Sequence, residues 1–583
     1  MENILPGFWY LNKNHKKDIK NLKILTTEIY HSSISNKKII EINKSYSKFL
    51  KELSTQLNII HKKDWPSKTW EIIIGSWLRK YITVISNRLQ IVEYLIKKNK
   101  KFYFINFKKK KKICLNTYNI NEFIEEGLKD YWNEEIFNRF YNFRKNKKKI
   151  DIINLKKETK ENKSLLKLIQ NIVLNKIFKI YNYFFCTNSQ FVFHKPYFGK
   201  KFEFFKFIFS LKEFPHLYIL DNSKIDCKFD LKKRKKLKFL KSNNILEYLI
   251  KGMAIECIPR IYIEGFSEVM QRVKNSSLPT KKTVIYTSSL HNDSIFKFWT
   301  AKQKNNGSKL IMSQHGSGHG FFKFEEKNNF YNSITDLMLT WGHLEEKNKR
   351  KIKRFSIINH KIFPEKKFTF KPGLSIIMNN YENYIMAADH NTIRDIWKSN
   401  ENKCYYEMKM IEIFLNSLKS NIRKTIVLRP HPKKNKRVNT LFFEKKYKDI
   451  IKINDDYRID ILDFLRGFSI NIIPEFHSTS FAFAMAKNFP VITFFPHSKN
   501  YLNSSTKKIH QSLVNASICH TSAKSASNFI NKTFNNPEKW WYSKKTQDAR
   551  KKYCNRFARV ISNRKEKLKE ILLEQKKKLL KEF

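Results

Sequence analysis

The chain has 583 residues and a formal net charge of +63, with 115 Lys and Arg against 52 Asp and Glu. This length accommodates two or more domains of about 100 to 200 residues each. Such a charge would ordinarily indicate nucleic acid or an anionic membrane as partner. The excess is mostly Lys, however, in a chain also rich in Asn, Ile, Phe and Tyr, which is a bias typical of AT-rich codons. We therefore expect no specific nucleic-acid partner.

The sequence also argues against export, membrane insertion and a cysteine framework. Residues 1–7 lack the basic start and apolar core of a signal peptide, and Lys or Asn interrupts every long apolar region. The seven cysteines are widely spaced and form no Cys-x-x-Cys pair. We therefore expect a cytoplasmic protein, and a peripheral position at the inner membrane face stays open.

The first part of the chain has the pattern of helices with little visible chemistry. Residues 21–27 predict a short strand, and residues 45–98 predict helices with an aromatic face that includes Trp65, Trp70 and Trp77. A helical core explains that face, and a wall that binds an acceptor sugar is the alternative. Residues 184–209 are dense in Phe and Tyr without a clear period, which we interpret as buried irregular structure or a lid.

Two strands with polar ends follow. Residues 282–289 predict a strand that leads to Asp293 at the start of an amphipathic helix, where a carboxylate usually caps the helix. Residues 309–312 predict the next strand, which runs into a loop containing His315, Gly316 and Gly318. Because glycine is scarce in this chain, we expect the loop to pass close to a ligand and its N–H groups to converge on an anion. A tight turn with a satisfied histidine is the alternative, and the glycines argue against a zinc helix.

Another strand, residues 336–342, precedes a charged stretch that predicts a domain boundary. We assign residues 1–350 to an N-terminal α/β domain on the acceptor side, residues 351–371 to a linker, and residues 372–535 to a nucleotide-donor domain, where strands and helices alternate as in a parallel sheet. Residues 536–583 predict helices that either pack back on the N-terminal domain or, in their amphipathic last part, lie on a membrane surface.

The donor domain contains the most informative stretch, residues 425–495. One apolar strand stops at Arg429-Pro430-His431-Pro432, since proline cannot donate to a sheet ladder. A second strand stops at Pro474 and leads through Glu475 to Ser478, Thr479 and Ser480 at a helix start, where hydroxyls cap the helix and N–H groups attract phosphate. The carboxyl ends of parallel strands are where open α/β sheets bind ligands. An ion pair and ordinary caps are the structural alternatives.

These motifs resemble a known family. Gln314-His315-Gly316, the Arg-Pro-His-Pro loop and His477-Ser478-Thr479-Ser480 are similar to motifs of the transferase family found in O-antigen and surface-polysaccharide gene clusters. More distantly they resemble bacterial polysialyltransferases, capsule Kdo transferases and CDP-glycerol glycerophosphotransferases. The resemblance implies a GT-B-like α/β fold of two Rossmann-like domains facing a cleft, with extra N-terminal helices and a C-terminal helix.

The resemblance also implies roles. Arg429 and His431 would contact the donor phosphate, as would Ser478, Thr479 and Ser480, with the glycine loop opposite. His315 is the first choice for the base that takes the acceptor proton and Asp293 the second, while Glu475 would be the catalytic carboxylate or bind the donor ribose. The chain has no Asp-x-Asp pair, so a metal-independent reaction is expected, with a nucleotide-sugar donor as substrate and no tightly bound cofactor.

The expected function is glycosyl transfer to a bacterial surface-polysaccharide acceptor, such as a glycan or lipid-linked glycan of O-antigen or capsule. Three alternatives stay open: a glycerophosphotransferase of the CDP-glycerol type, a basic nucleic-acid-binding protein, and a membrane-peripheral protein without catalysis. Steep salt dependence of binding to generic RNA or DNA would indicate the second.

Overall fold

The computed structural model describes the following residues: 4–5, 23–24, 36–97, 114–146, 173, 176–177, 179–186, 188–198, 201–218, 225–290, 293–323, 325–344, 351–359, 361–364, 368–379, 384, 386, 403–431, 438–447, 450–494 and 502–581. Within them the chain forms two parallel sheets surrounded by helices, which confirms the predicted α/β class. A separate parallel pair consists of β1 (Ile4–Leu5) and β2 (Lys23–Ile24).

A helical layer precedes the first sheet. It comprises α1 (Asn36–His61), α2 (Ser67–Lys97), α3 (Ile120–Gly127) and α4 (Asp130–Asn146). Trp70 and Trp77 of α2 are fully buried, and the Trp77 ring stacks on Tyr81 at 5.0 Å between centroids. The predicted aromatic face is thus a helical core. The alternative, a wall that binds an acceptor sugar, was wrong for these two tryptophans.

The first sheet has six parallel strands. They are β3 (Phe191–His194), β4 (His216–Leu217), β5 (Val284–Thr287), β6 (Lys309–Ser313), β7 (Leu337–Thr340) and β8 (Ile352–Arg354), in the spatial order β4-β3-β5-β6-β7-β8. Its helices are α5 (Lys201–Ser210), α6 (Leu231–Arg234), α7 (Ile245–Cys257), α8 (Phe266–Lys274), α9 (Ser294–Asn305) and α10 (Glu326–Ile334), with a 3₁₀ turn at Arg260–Tyr262. The order reverses beside β3, as in doubly wound nucleotide-binding folds.

The second sheet has five parallel strands. They are β9 (Leu374–Ile377), β10 (Ile426–Arg429), β11 (Lys452–Ile453), β12 (Ile470–Ile472) and β13 (Val491–Ile492), in the order β11-β10-β9-β12-β13. The helices between them are α11 (Lys403–Asn416), α12 (Ser420–Arg423), α13 (Val438–Lys446), α14 (Ile461–Arg466) and α15 (Thr479–Lys487). The strand order reverses between β9 and β12, so a Rossmann-like crevice lies at their carboxyl ends.

The described chain ends in five helices, and the last of them returns to the first sheet. They are α16 (Ser504–Asn515), α17 (Ala523–Thr533), α18 (Pro537–Trp541), α19 (Lys544–Phe557) and α20 (Arg564–Lys581). The apolar side of α20, with Leu568, Ile571 and Leu572, is buried in the same cluster as Phe191 and Val284 of the first sheet. This helix is therefore a docking helix, and its apolar side does not face a membrane. Among the described residues, no helix is both long and apolar enough to cross a bilayer.

Two further expectations were wrong. Within residues 184–209 the structure forms β3 and α5 instead of irregular structure, and Phe191 and Phe193 of the strand pack in one buried cluster with Phe207 of the helix. The linker was expected from residue 351, but Ile352–Arg354 pairs with β7 as the edge strand of the first sheet. The sequence gives no apolar pattern for this strand, because Ile352 is its one buried side chain and Lys353 and Arg354 follow it.

Candidate functional site

The carboxyl ends of the two sheets meet at the glycine loop after β6. The backbone N–H of Ser317 donates to Oγ1 of Thr479, the first residue of α15, at 3.0 Å. A Cβ at Gly316 would stand 3.3 Å from the same oxygen, so the loop backbone approaches this helix start closely. The structure therefore brings together the glycine loop and the Ser478–Ser480 motif, which lie far apart in the sequence.

Gln314 fixes the start of that loop. Its side-chain Oε1 accepts from the backbone N–H of Trp341 at 2.8 Å, and its carbonyl accepts from the indole Nε1 of Trp341 at 2.9 Å. His315, the next residue, is exposed, and its ring meets that of Tyr197 edge-on at 5.2 Å between centroids. The loop thus presents one imidazole to solvent from a firmly held strand end.

A carboxylate of the protein binds the second half of the glycine loop. Glu325 is buried and accepts from the backbone N–H groups of Gly320, Phe321 and Phe322 at 2.8, 2.7 and 2.9 Å. Gly318 and Gly320 have φ of +87° and +79°, a conformation that favours glycine. The expected convergence of N–H groups on an anion is therefore satisfied internally for this half of the loop, whereas the half around Gly316 contacts the start of α15.

Asp293 lies in the interior at the carboxyl end of β5. Its Oδ1 caps α9 by accepting from the N–H of Phe296 at 2.9 Å, and its Oδ2 is 3.5 Å from Nε2 of His194. Lys297 is buried one turn further on, and burial lowers its pKa to about 8, against the opposing effect of the Asp293 charge. Asp293 is thus a cap within a buried polar cluster, whereas His315 is exposed.

Arg429 ends β10 beneath an aromatic ring. Its Nη2 donates to the carbonyl of Ile459 at 2.7 Å, and its guanidinium lies 4.5 Å from the ring centroid of Phe464. The described residues offer its buried Nη1 no hydrogen-bond acceptor. The nearby carboxylates pair with other cations, Asp456 with Arg458 and Asp460 with Lys361, so the ion-pair alternative for Arg429 is not what the described residues form.

His431 follows Arg429 at the surface. It is exposed, and its backbone carbonyl accepts from the hydroxyl of Tyr457 at 3.4 Å. The half-exposed Tyr457 ring also lies 5.9 Å from the Arg429 guanidinium. Pro432, the last residue of the Arg-Pro-His-Pro motif, lies outside the described residues.

The end of β12 carries a buried acid and imidazole. Oε2 of Glu475 is 3.2 Å from Nε2 of His477, and both side chains are buried. Ser478 caps α15 by accepting from the N–H of Phe481 at 3.2 Å, while Thr479 and Ser480 are half-buried in the first turn. The helix start therefore has its first N–H groups beside the glycine loop, where the helix dipole favours a negative charge.

Sequence reasoning missed a second acid at this end of the sheet. Glu407 of α11 is buried, and its carboxylate accepts from the backbone N–H and side-chain Nδ2 of Asn379, which follows β9. Burial first, and the charge of Glu475 second, raise the pKa of Glu407 well above its usual range. The only sequence signal was Asn379 after a buried strand; nothing local marks Glu407, and His477 appeared in a quoted motif without a role.

The part of the chain that the structure describes contains no group of three or more His, Cys, Asp or Glu side chains placed to hold a metal ion. His319 of the glycine loop is buried, and the centroid of its ring lies 6.3 Å from the ring centroids of Tyr331 and of His343.

Comparison with known proteins gives a family match over nearly the whole chain. The model of the LIC12162 family of transferases matches residues 1–572. No curated protein matches the chain. Similar solved structures include the wall teichoic acid polymerase TagF (12% identity, TM-score 0.30, 71% of this chain and 97% of that one). They also include MurG of Acinetobacter baumannii (8%, 0.31, 70% and 96%) and MnaA of S. aureus with UDP (11%, 0.32, 52% and 79%).

Proposed function

The chain belongs to the LIC12162 family of transferases, and from this premise we propose that it moves a glycosyl group from a nucleotide-activated donor to a surface-polysaccharide acceptor. One observation carries the proposal: the loop after β6 meets the helix start after β12 at the hydrogen bond between Ser317 and Thr479, close in sequence to the exposed His315. Such a transfer requires stabilisation of a departing phosphate on one side and removal of a hydroxyl proton on the other.

The second sheet is the proposed donor side. The Nη1 group of Arg429, for which the described residues provide no acceptor, suits a phosphate oxygen. The start of α15 adds N–H groups and the hydroxyls of Ser478, Thr479 and Ser480 at the neighbouring strand end. The half-exposed ring of Tyr457, beside Arg429 and His431, offers a face for the nucleotide base.

The first sheet is the proposed acceptor side. Exposure of His315 at the cleft supports it as the base, since a base must reach the acceptor hydroxyl. Asp293 fits less well as this base because one of its carboxylate oxygens already accepts the capping hydrogen bond of α9. Glu475, held by His477 and close to the helix start, is the proposed carboxylate for donor ribose or catalysis.

The remaining parts of the proposal concern partners and location. The donor is a substrate and no further cofactor is invoked, the acceptor is a glycan or a lipid-linked glycan, and the protein acts in the cytoplasm. A glycerophosphotransferase would use the same phosphate groups, so the donor panel below includes CDP-glycerol.

The test combines binding and turnover. Purified protein is screened by thermal shift with CMP, CDP, UDP, GDP, their sugars and CDP-glycerol, because a ligand that binds only the folded state raises the melting temperature. Donor hydrolysis and transfer are then compared for wild type, His315→Ala and His431→Ala, with the exposed Arg458→Ala as control. Unchanged turnover in both histidine variants would reject the proposed site.

A further inference from the structure

A helical face near the outer edge of the first sheet is exposed and apolar. Residues 173, 176–177 and 179–185 are helical, and Val173, Ile177, Ile180 and Phe184 follow one another at intervals of four, three and four residues. This spacing places the four side chains on one side of a helix. They are all exposed, Ile180 by 58% and Phe184 by 69%, so the helix presents its apolar side outward.

Neighbouring aromatic side chains extend this face. Phe185 and Phe209 lie 5.7 and 5.8 Å, between centroids, from Phe214, just before the edge strand β4. Phe209, on α5, is 67% exposed, and Tyr183 is 76% exposed. We call the surface formed by Val173, Ile177, Ile180, Tyr183, Phe184, Phe185, Phe205 and Phe209 the aromatic edge. A soluble protein rarely leaves such a continuous apolar surface in water without a partner.

The charge around the aromatic edge is positive. Lys176, Lys179 and Lys212 are exposed within or beside it. The sequence has no acidic residue between Glu161 and Glu203. The acids that border the edge are neutralised within the fold, because Glu203 pairs with Lys565 and Glu213 pairs with Lys576 of α20.

We propose that the aromatic edge docks on a lipid bilayer that contains anionic phospholipid. Phe and Tyr side chains between lysines fit the boundary between headgroups and acyl chains, and each lysine near an anionic surface adds attraction. A protein partner would need acidic groups to match the lysines, whereas a bilayer supplies both the negative charge and the apolar layer. The site proposed above is not required for this inference, which concerns the location of the protein and not its chemistry.

The experiment is co-sedimentation of the full chain with vesicles of phosphatidylcholine alone or with phosphatidylglycerol. The double variant Ile180→Ser/Phe184→Ser removes the centre of the apolar face, and Lys176→Glu/Lys179→Glu reverses its charge. Ile59→Ser is the matched control, since Ile59 is also an exposed apolar residue on a helix, at 64%. Because all substituted side chains are exposed, the melting temperature should stay unchanged.

Wild type and Ile59→Ser are expected to bind phosphatidylglycerol vesicles, weakly in high salt, while each double variant binds at least about tenfold more weakly. The proposal is overturned if wild type stays in the supernatant or if both double variants bind vesicles like wild type. It is also overturned if Ile59→Ser loses as much vesicle binding as the double variants. It is equally overturned if light scattering shows a dimer that Ile180→Ser/Phe184→Ser converts to monomer without any change in vesicle binding, because a second copy would then cover the edge.

Discussion

The hydroxyl of Thr479 accepts a hydrogen bond from the backbone N–H of Ser317, and this bond joins the two sheets at their carboxyl ends. Thr479→Ala removes the acceptor, so we expect the glycine loop to shift relative to the start of α15 and kcat/KM to fall about tenfold. The free energy of unfolding should fall by about 0.5 to 1.5 kcal/mol. Thr479→Ser retains the hydroxyl and should stay near wild type. Equal activity of the Ala and Ser variants would show that the bond has no part in turnover.

Arg429 should determine donor affinity. Loss of a charge-assisted hydrogen bond to phosphate costs about 1.5 to 3 kcal/mol, so Arg429→Met should weaken nucleotide binding by roughly 10- to 100-fold. Calorimetric titration with the nucleotide found in the thermal-shift screen measures the change. Arg458→Met is the control, because Arg458 is exposed and pairs with Asp456. A similar loss in both variants would indicate a general effect of charge instead of a phosphate contact.

Glu407 should make stability depend on pH. Its raised pKa means that the folded state holds the proton at pH values where the unfolded state, with an ordinary pKa of 4.5, has released it. Stability is therefore expected to fall as pH rises above that value, so the free energy of unfolding should be lower at pH 8 than at pH 5. Urea unfolding at both pH values should show this loss in wild type and a smaller one in Glu407→Gln.

Glu412 provides the comparison for that experiment. It lies on the same helix but pairs with Lys446 near the surface, so Glu412→Gln should leave the pH dependence as in wild type. Glu475→Gln removes one charge that acts on Glu407 and should also reduce the slope. If wild type and Glu407→Gln lose equal stability, Glu407 is ionised in the folded state.

Gly320 should tolerate no side chain. Its φ is +79°, and a Cβ would stand 2.5 Å from Cγ of the buried His343. Gly320→Ala is expected to destabilise the fold by about 2 kcal/mol or more, because both the backbone and the contact are unfavourable. Gly252→Ala is the matched substitution: it lies in α7 with no atom near the added methyl and should stabilise by about 0.5 to 1 kcal/mol. Thermal unfolding of the two variants should show shifts of opposite sign.

Glu325 should hold the glycine loop. Glu325→Gln keeps one acceptor oxygen for three backbone N–H groups, so we expect a loss of about 1 to 3 kcal/mol in the free energy of unfolding. Glu570→Gln, in the exposed pair with Lys567, should change it by less than about 0.5 kcal/mol. Comparable losses in both would mean that the loop is held by other contacts.

The strands were predictable where a short apolar run stops at a residue that cannot continue a ladder. Pro430 and Pro474 mark the ends of β10 and β12 in this way, and the structure confirms both strands. Residues 352–354 gave no such signal, since an edge strand exposes half of its side chains and here exposes Lys and Arg. A hydrophobic pattern in the sequence indicates which side chains are buried. A strand of three residues with one buried side chain is too short to show such a pattern.

The candidate site was predictable only in its local parts. Strand ends and helix starts follow from neighbouring residues, so Arg429, Ser478 and His315 could be named before the fold was known. The contacts of each of these residues could not be predicted, because they depend on residues distant in sequence. Glu325 binding the glycine loop and Glu407 beside Glu475 are both of this kind.

The chain crosses between the two sheets twice, and the crossings lie side by side. It leaves the first sheet after β8 and returns at α20, and the N–H of Ile357 donates to the carbonyl of Arg559 at 2.8 Å, while Oγ of Ser356 accepts from the N–H of Ile561 at 3.2 Å. The half built on the first sheet is therefore made of two separate pieces of sequence, and the half built on the second sheet is inserted between them. A fragment that ends near residue 360 would leave uncovered the apolar surface on which Leu568 and Leu572 rest, and opening of the cleft would be confined to rotation about the paired crossings.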